Sequence, residues 1–449
     1  MRQNDFENTP MLKLVLGLAI PSMIAQLVNI LYSIVDRMFV GQIADVGNIC
    51  LAAVGVCGPI VTLLSSFGTL VGIGGSIWLS ICLGQKNEKK ASQILFNSFI
   101  MLVVLSLGLT ILFVLMRHHL IYWFGGSDVL FPYANTYLTI YTLGTFFALM
   151  SIGLNYFITC QGYATIGMLS VCIGAITNIV FDFIFIKVLK IGVAGAAIGT
   201  VIAQFLSCAF VLYFLKCKSK IKISREKISA PIMRHIVKLG FSPFLIIATD
   251  SVILIVMNTM LQRYGGNMGD VYISAITVAQ SYFLLITGPL LGISSGTQPI
   301  YAYHFGARNL KKIKEAFRII LIFGFSFCLF MFIVSMCFSN VFVSLFTQDS
   351  ITMPIASRAI RIFCLGILMM SIQYVLVDGI TALSHVKLSL FLSMNRKIAY
   401  FLCTCFLPIY FGVSNIFYAQ PIADVYASLV TIFCFVKIIP SYLKNHGVE

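Results

Sequence analysis

The sequence predicts an all-α polytopic membrane protein, with twelve transmembrane helices in two pseudo-symmetric six-helix lobes. Three observations carry this. Only 10% of the 449 residues are charged, 59% are hydrophobic and the mean hydropathy is +0.98, whereas a soluble domain carries about 25% charged residues. Twelve apolar stretches lie near 12–35, 49–78, 92–116, 133–159, 165–188, 192–216, 236–262, 271–303, 316–346, 355–380, 386–408 and 413–437; each reaches the roughly 20 residues that a membrane-spanning helix needs. Finally, the chain repeats itself at an offset of 222 residues, which falls to 220 past about residue 170. Pro21 then meets Pro243, Gly74 meets Gly296, Gly84 meets Gly306, Asn87 meets Asn309, Leu143-Gly144 meets Leu365-Gly366, and Gly192-Val193 meets Gly412-Val413.

Six spans per copy is an even number, so both copies insert in the same orientation and the repeats are parallel. The expected lobes are 1–215 and 235–449, joined by a charged linker, 216–234, that carries Lys218, Lys220, Lys222, Arg225 and Lys227. Two fused membrane bundles with a cavity between them are an architecture of transporters. Connections are too short to hold a soluble catalytic domain, and no converging nucleophile–base or metal constellation is visible. Neither an enzyme nor a cofactor is expected. The thirteen cysteines contain no Cys-x-x-Cys pair and lie mostly inside spans (Cys160, Cys172, Cys208, Cys328, Cys337); they read as small packing residues, and no fixed metal site is proposed.

The net charge of +15 is a topology signal, not a nucleic-acid signature. With the N-terminus and even-numbered loops on one side, twenty-one basic residues collect there against seven opposite (Arg37, Arg117, Lys187, Lys190, Arg263, Arg358, Arg361). Basic residues favour the cytoplasmic side, so both termini are expected there, in a multi-pass protein of the cytoplasmic membrane. The first apolar stretch contains Pro21 and Asp36 and lacks a small-residue cleavage site, unlike a signal peptide.

Taken in order, the spans carry few polar residues, and each needs a reason, because an ionisable group at the bilayer centre costs about 2.5–3.5 kcal/mol on insertion scales. In the first span, Asn29 and Asp36 are two helical turns apart on one face, and Pro21 removes a backbone hydrogen bond, which predicts a kink or hinge. The second is lined by Gly68, Gly72, Gly74 and Gly75, which permit close helix approach. In the fifth, Asn178 and Asp182 are one turn apart. A carboxylate beside an amide suits a proton or a desolvated sodium ion; the alternative is a polar clasp between helices. The sixth opens with Gly192, Gly195 and Gly199, another packing pattern. Asp250 and Asn258 lie in the seventh span, Asp378 near the end of the tenth, and Arg396-Lys397 in the eleventh as possible charge partners. Asp250, Asn258 and Arg396 are candidates for lining a substrate cavity, and Asp378 is expected to be exposed at a helix end. In the repeat Asp36 faces Asn258, and Asp182 faces Leu402 or Thr404, so both strong candidates for an ion site are confined to the first half.

These residues resemble the multidrug and toxic compound extrusion (MATE) family of antiporters over nearly the whole chain. Leu18-Ala-Ile-Pro21 followed by Asp36 is similar to the family's bent first helix and its acid, and the two Gly-x9-Gly-x-x-Asn elements ending at Asn87 and Asn309 match as well. Asn178-x-x-x-Asp182 and Thr200 resemble the cation-binding cluster of the prokaryotic DinF-like branch, with Tyr137 in the matching place of the fourth span. The resemblance implies that Asp36, Asp182, Asn178, Thr200 and Tyr137, joined by Asn29, form a coupling site for H+ or Na+. It implies export of small organic cations by a monomer in the bilayer. Other members carry an acid near Gln373, which this chain lacks, so the N-terminal lobe is the expected place of coupling. Two alternatives are weighed against this. A lipid-linked oligosaccharide flippase would need several cavity arginines or lysines, and only Arg396 and Lys397 are available. A major-facilitator transporter would carry Gly-x-x-x-Asp-Arg-x-Gly-Arg after the second span, where this chain reads Gly84-Gln-Lys-Asn-Glu-Lys-Lys90.

The topology is testable. With single cysteines at position 222 or 265 in a cysteine-free background, an impermeant thiol reagent on intact cells is expected to label position 265 and spare 222. The reverse pattern would invert the orientation.

Overall fold

The computed structural model describes residues 4–43, 46–344 and 350–447, and in them the chain is almost wholly helical. The first half contains α1 (Met11–Gly41), α2 (Gly47–Gly84), α3 (Glu88–Trp123), α4 (Phe131–Leu143), α5 (Thr145–Thr159), α6 (Ala164–Asp182) and α7 (Val193–Cys217). The second contains α8 (Ala230–Tyr264), α9 (Gly269–Gly296), α10 (Gln298–Gly306), α11 (Leu310–Ser344), α12 (Thr352–Phe363), α13 (Ile367–Ala382), α14 (Val386–Phe411) and α15 (Ala419–Asn445). Among the described residues, eleven helical segments are long and apolar enough to cross a membrane, and twelve if α4 and α5, bent by 55° at their junction, are one span.

The landmarks of the sequence repeat are backbone devices used twice. Asn87 caps α3 by accepting from the Lys90 amide at 3.1 Å, and Asn309 caps α11 by accepting from the Lys312 amide at 3.0 Å. A side-chain oxygen at a helix start satisfies an amide that has no partner within the helix. The residues before them, Lys86 and Arg308, share a left-handed backbone with φ of 56° and 55°. The paired glycines Gly144 and Gly366 sit at close helix crossings: a Cβ on Gly144 would lie 2.5 Å from the Val201 side chain, and one on Gly366 2.8 Å from the Pro421 backbone. Val201 and Pro421 are themselves 220 residues apart.

Packing divides the chain into two compact units. Unit 1 comprises Met1–Thr9 and Ile24–Ala248, and unit 2 comprises Pro10–Met23 and Thr249–Glu449. The first part of α1 therefore belongs to the second unit and the first part of α8 to the first unit. Glycines make both exchanges possible. A Cβ on Gly240 of α8 would overlap the Leu70 carbonyl of α2, and one on Gly292 of α9 would lie 2.6 Å from the Met23 backbone of α1. α1 is helical without interruption across Pro21, and the change of unit falls two residues beyond it. The polar segment 216–234 is tied into unit 1. The Ile221 amide donates to Gln161 Oε1 at 2.7 Å, the Ser229 amide donates to Asn97 Oδ1 at 2.8 Å, and Lys220 pairs with Glu88 at 2.9 Å.

The thirteen cysteines are all free thiols, and Cys57, Cys82, Cys160, Cys208 and Cys328 are buried in the helix packing. No group of three His, Cys, Asp or Glu side chains among the described residues could hold a metal ion.

Overpacking a tight crossing costs about 1–3 kcal/mol. Gly240→Ala and Gly292→Ala are each expected to destabilise the protein by that much, read from thermal unfolding in detergent. Gly55→Ala, where a Cβ meets nothing within 4 Å, is expected to leave the transition in place or raise it slightly.

Candidate functional site

α6 reaches its last α-helical residue at Asp182, and the chain continues as a π-helical stretch, Phe183–Val188. π-turns widen a helix locally and are frequent at functional sites. Asn178 and Asp182, one turn apart, turn to α7 and are 1% and 0% exposed. The Asp182 carboxyl lies against bare backbone: a Cβ on Gly199 would be 2.6 Å from its Oδ1. Asn178 Nδ2 donates to Asp182 Oδ1 at 3.4 Å and to Thr200 Oγ1 at 3.3 Å, while Thr200 Oγ1 donates to the Ala196 carbonyl at 3.0 Å. Each contact belongs to unit 1.

α1 brings Asp36 to this group. The carboxyls of Asp36 and Asp182 come within hydrogen-bonding range of each other. Two ionised carboxylates at that separation repel, so the contact is favourable only when a proton is shared or a cation sits between them. Among the described residues no base forms an ion pair with either acid; Arg37 is exposed and lies within electrostatic reach of Asp36 without pairing with it. Asp36 Oδ1, Asp182 Oδ2 and Asn178 Oδ1 are buried without a hydrogen-bond partner. The site thus presents oxygen ligands from three helices and lacks a positive charge, which is the chemistry that takes up a proton or a small hard cation.

The other sequence candidates fall as follows. Tyr137 of α4 is buried and lies within electrostatic reach of Asp36. Asn29 is exposed two turns before Asp36, and its side chain makes no hydrogen bond with the group; sharing a helical face over seven residues still leaves about 10 Å of rise. Gln204, Tyr141 and Tyr32 were not among the candidates. Gln204 Nε2 donates to the Tyr141 hydroxyl at 3.1 Å, and Tyr32 lies within electrostatic reach of both acids. Gln204 stands one turn after Thr200, a spacing that would have pointed to it.

In unit 2 the membrane acids are arranged differently. Arg396 Nε donates to Asp424 Oδ1 at 2.8 Å, and Gln420 Nε2 donates to the same carboxylate at 3.1 and 3.0 Å. The guanidinium also lies 5.2 Å from the Tyr374 ring centroid. Lys397 pairs with Asp250, whose side chain is 58% exposed. Sequence reasoning passed over Asp424 entirely; the signal was its place 220 residues after Gln204, with Gln420 opposite Thr200. The side chain of Asn258 lies outside the described residues. Asp378, expected to be exposed at a helix end, instead has a buried carboxyl oxygen, because α9, α10 and α11 close around that part of α13.

The pattern of the MatE family matches residues 21–184 and 245–397, most of both halves. The chain belongs to the MATE family. Its relatives include the multidrug export protein MepA of Staphylococcus haemolyticus strain JCSC1435, 23% identical over 434 residues that cover 95% of this chain and 94% of that one. MepA of Staphylococcus aureus strain NCTC 8325 is 25% identical over 389 residues, 84% of this chain and 83% of the relative. Among solved structures, an outward-facing MATE family multidrug resistance transporter of the MOP superfamily superposes with a TM-score of 0.91 at 22% identity, covering 99% of this chain and all of that one. A MATE structure described as the straight conformation gives 0.90, at 23% identity and the same coverage. MATE membership gives the twelve-span, two-lobe fold, makes this a transporter rather than an enzyme, and removes the major-facilitator alternative.

Gly199 is the residue on which the Asp182 carboxyl rests. Gly199→Ala is expected to displace that carboxyl and weaken ion binding about tenfold or more, measured as the ion concentration giving half-maximal transport. Gly108→Ala, with nothing within 4 Å of its Cβ, is expected to match the parent.

Proposed function

We propose that this protein is a secondary antiporter of the cell membrane that exports small organic cations in exchange for a proton or a sodium ion bound at Asp36, Asp182, Asn178 and Thr200. One observation carries the reading: two membrane carboxyls meet with no ion-paired base among the described residues, so the positive charge they require is one that can come and go. Tyr137 would support the site from α4, as in the DinF-like branch. The relatives named as multidrug export proteins support the substrate class.

Binding of the ion drives transport only if it favours one arrangement of the lobes over the other. The proposed moving bodies are the lobes 1–215 and 235–449 with their ends exchanged, residues 10–23 moving with the second and 216–248 with the first, and with α1 changing shape near Pro21. Export of a monovalent cation against an inside-negative potential is opposed by about 2.3 kcal/mol per 100 mV, and one ion entering returns the same amount. The flippase alternative is the weaker reading, because Arg396 and Lys397 are already neutralised by Asp424 and Asp250 and leave little charge for a diphosphate. Cytoplasmic termini and a monomeric state belong to the same proposal.

In proteoliposomes, a fluorescent organic cation is expected to move against an imposed proton or sodium gradient, and applying the two separately identifies the ion. Asp36→Asn and Asp182→Asn keep shape and remove charge; each is expected to abolish gradient-driven transport while the protein remains folded. Wild-type rates in either variant would remove that residue from coupling.

A further inference from the structure

Among the described residues, Asp250, Asp378 and Asp424 lie well inside the helices of unit 2, and two of them carry a resident cation: Arg396 on Asp424 and Lys397 on Asp250. Asp378 of α13 has none. Ser294 of α9 and Gln298 of α10 reach its carboxyl, yet Oδ2 is buried without a hydrogen-bond partner. The hydroxyl of Tyr301, a fully buried side chain, is likewise unpartnered. Tyr301 is close enough to feel the charge on Asp378. Ser294, Gln298 and Tyr301 are spaced by four and three residues, so they line one face across the α9–α10 junction.

Helix packing alone does not call for an acid here. At the offset of 222, the first half has Gly72, Ser76, Leu79 and Tyr156 where the second has Ser294, Gln298, Tyr301 and Asp378. There the Tyr156 ring lies 2.5 Å from where a Cβ on Gly72 would stand, so ring-on-glycine packing closes the same crossing. A polar clasp would also engage both carboxyl oxygens and the tyrosine hydroxyl, whereas two of these three oxygens are unused.

We propose that Asp378, Ser294, Gln298 and Tyr301 form a second cation site, within unit 2, that takes a proton or a sodium ion. A carboxylate, two hydroxyls and an amide are hard oxygen ligands suited to either. The site is separate from the one proposed in unit 1.

The test uses full-length protein carrying Asp36→Asn and Asp182→Asn, so its outcome does not depend on the role proposed for those acids. Equilibrium binding of radioactive sodium and infrared spectra of carboxylic groups are measured in detergent. This background is expected either to bind one sodium per chain or to show a protonated carboxyl signal that disappears as pH rises. The first result identifies sodium, the second a proton. Adding Asp378→Asn is expected to abolish that signal. Tyr301→Phe, which keeps the ring packing, is expected to weaken sodium binding about tenfold or shift the titration midpoint, and it serves if the Asn variant does not fold. A background with neither signal, or a signal that survives Asp378→Asn, or in its place an unchanged one in Tyr301→Phe, overturns the proposal.

Discussion

A carboxylate inside a membrane must find a positive charge, and this requirement organises the polar interior of the protein. Hydrocarbon offers no water to solvate the anion, so the acid is paired with a base, holds a mobile cation, or is protonated. In unit 2, Asp424 and Asp250 take the first course with Arg396 and Lys397. In unit 1, Asp36 and Asp182 form no ion pair with a base among the described residues and share one buried group. One scaffold, used twice, thus carries two acids paired with resident bases in one copy and two acids that meet each other in the other.

The substitutions that separate the two copies are small. Gln204 in the first half stands where Asp424 stands in the second, and Thr200 where Gln420 stands. Moving the acid from the sixth span of its copy to the fifth, and leaving the base out, changes which charges are fixed. The close crossings at Gly144 and Gly366 and the caps at Asn87 and Asn309 are common to both copies.

Much of this was legible in the sequence for a physical reason. Apolar length marks the spans, and period-3.6 spacing places Asn178 beside Asp182, so the fold and the heart of the candidate group follow from local rules. Three features needed coordinates. Asn29 shares a helical face with Asp36 yet is exposed, because a face says nothing of what covers it. Asp424 was overlooked since its partner Arg396 lies twenty-eight residues away on another helix. The segment 216–234 looks like a free linker by composition, but its backbone is held by the side chains of Gln161 and Asn97, contacts that no charge pattern reveals.

The exchange of helix ends between the units has a consequence for biosynthesis. Unit 1 includes 230–248 of α8, and unit 2 includes 10–23 of α1. As the chain leaves the ribosome, the first seven helices are made before the segment of α8 that packs on Leu70 and Gly74 of α2, and those positions stay uncovered by it until α8 arrives. The beginning of α1 waits longer still, since Gly292 and Gly296 of α9, which meet Met23 and Ser22, are made about 270 residues later. Neither half is a finished object when synthesised alone. Assembly is a reciprocal handover completed only after the second copy has begun to insert.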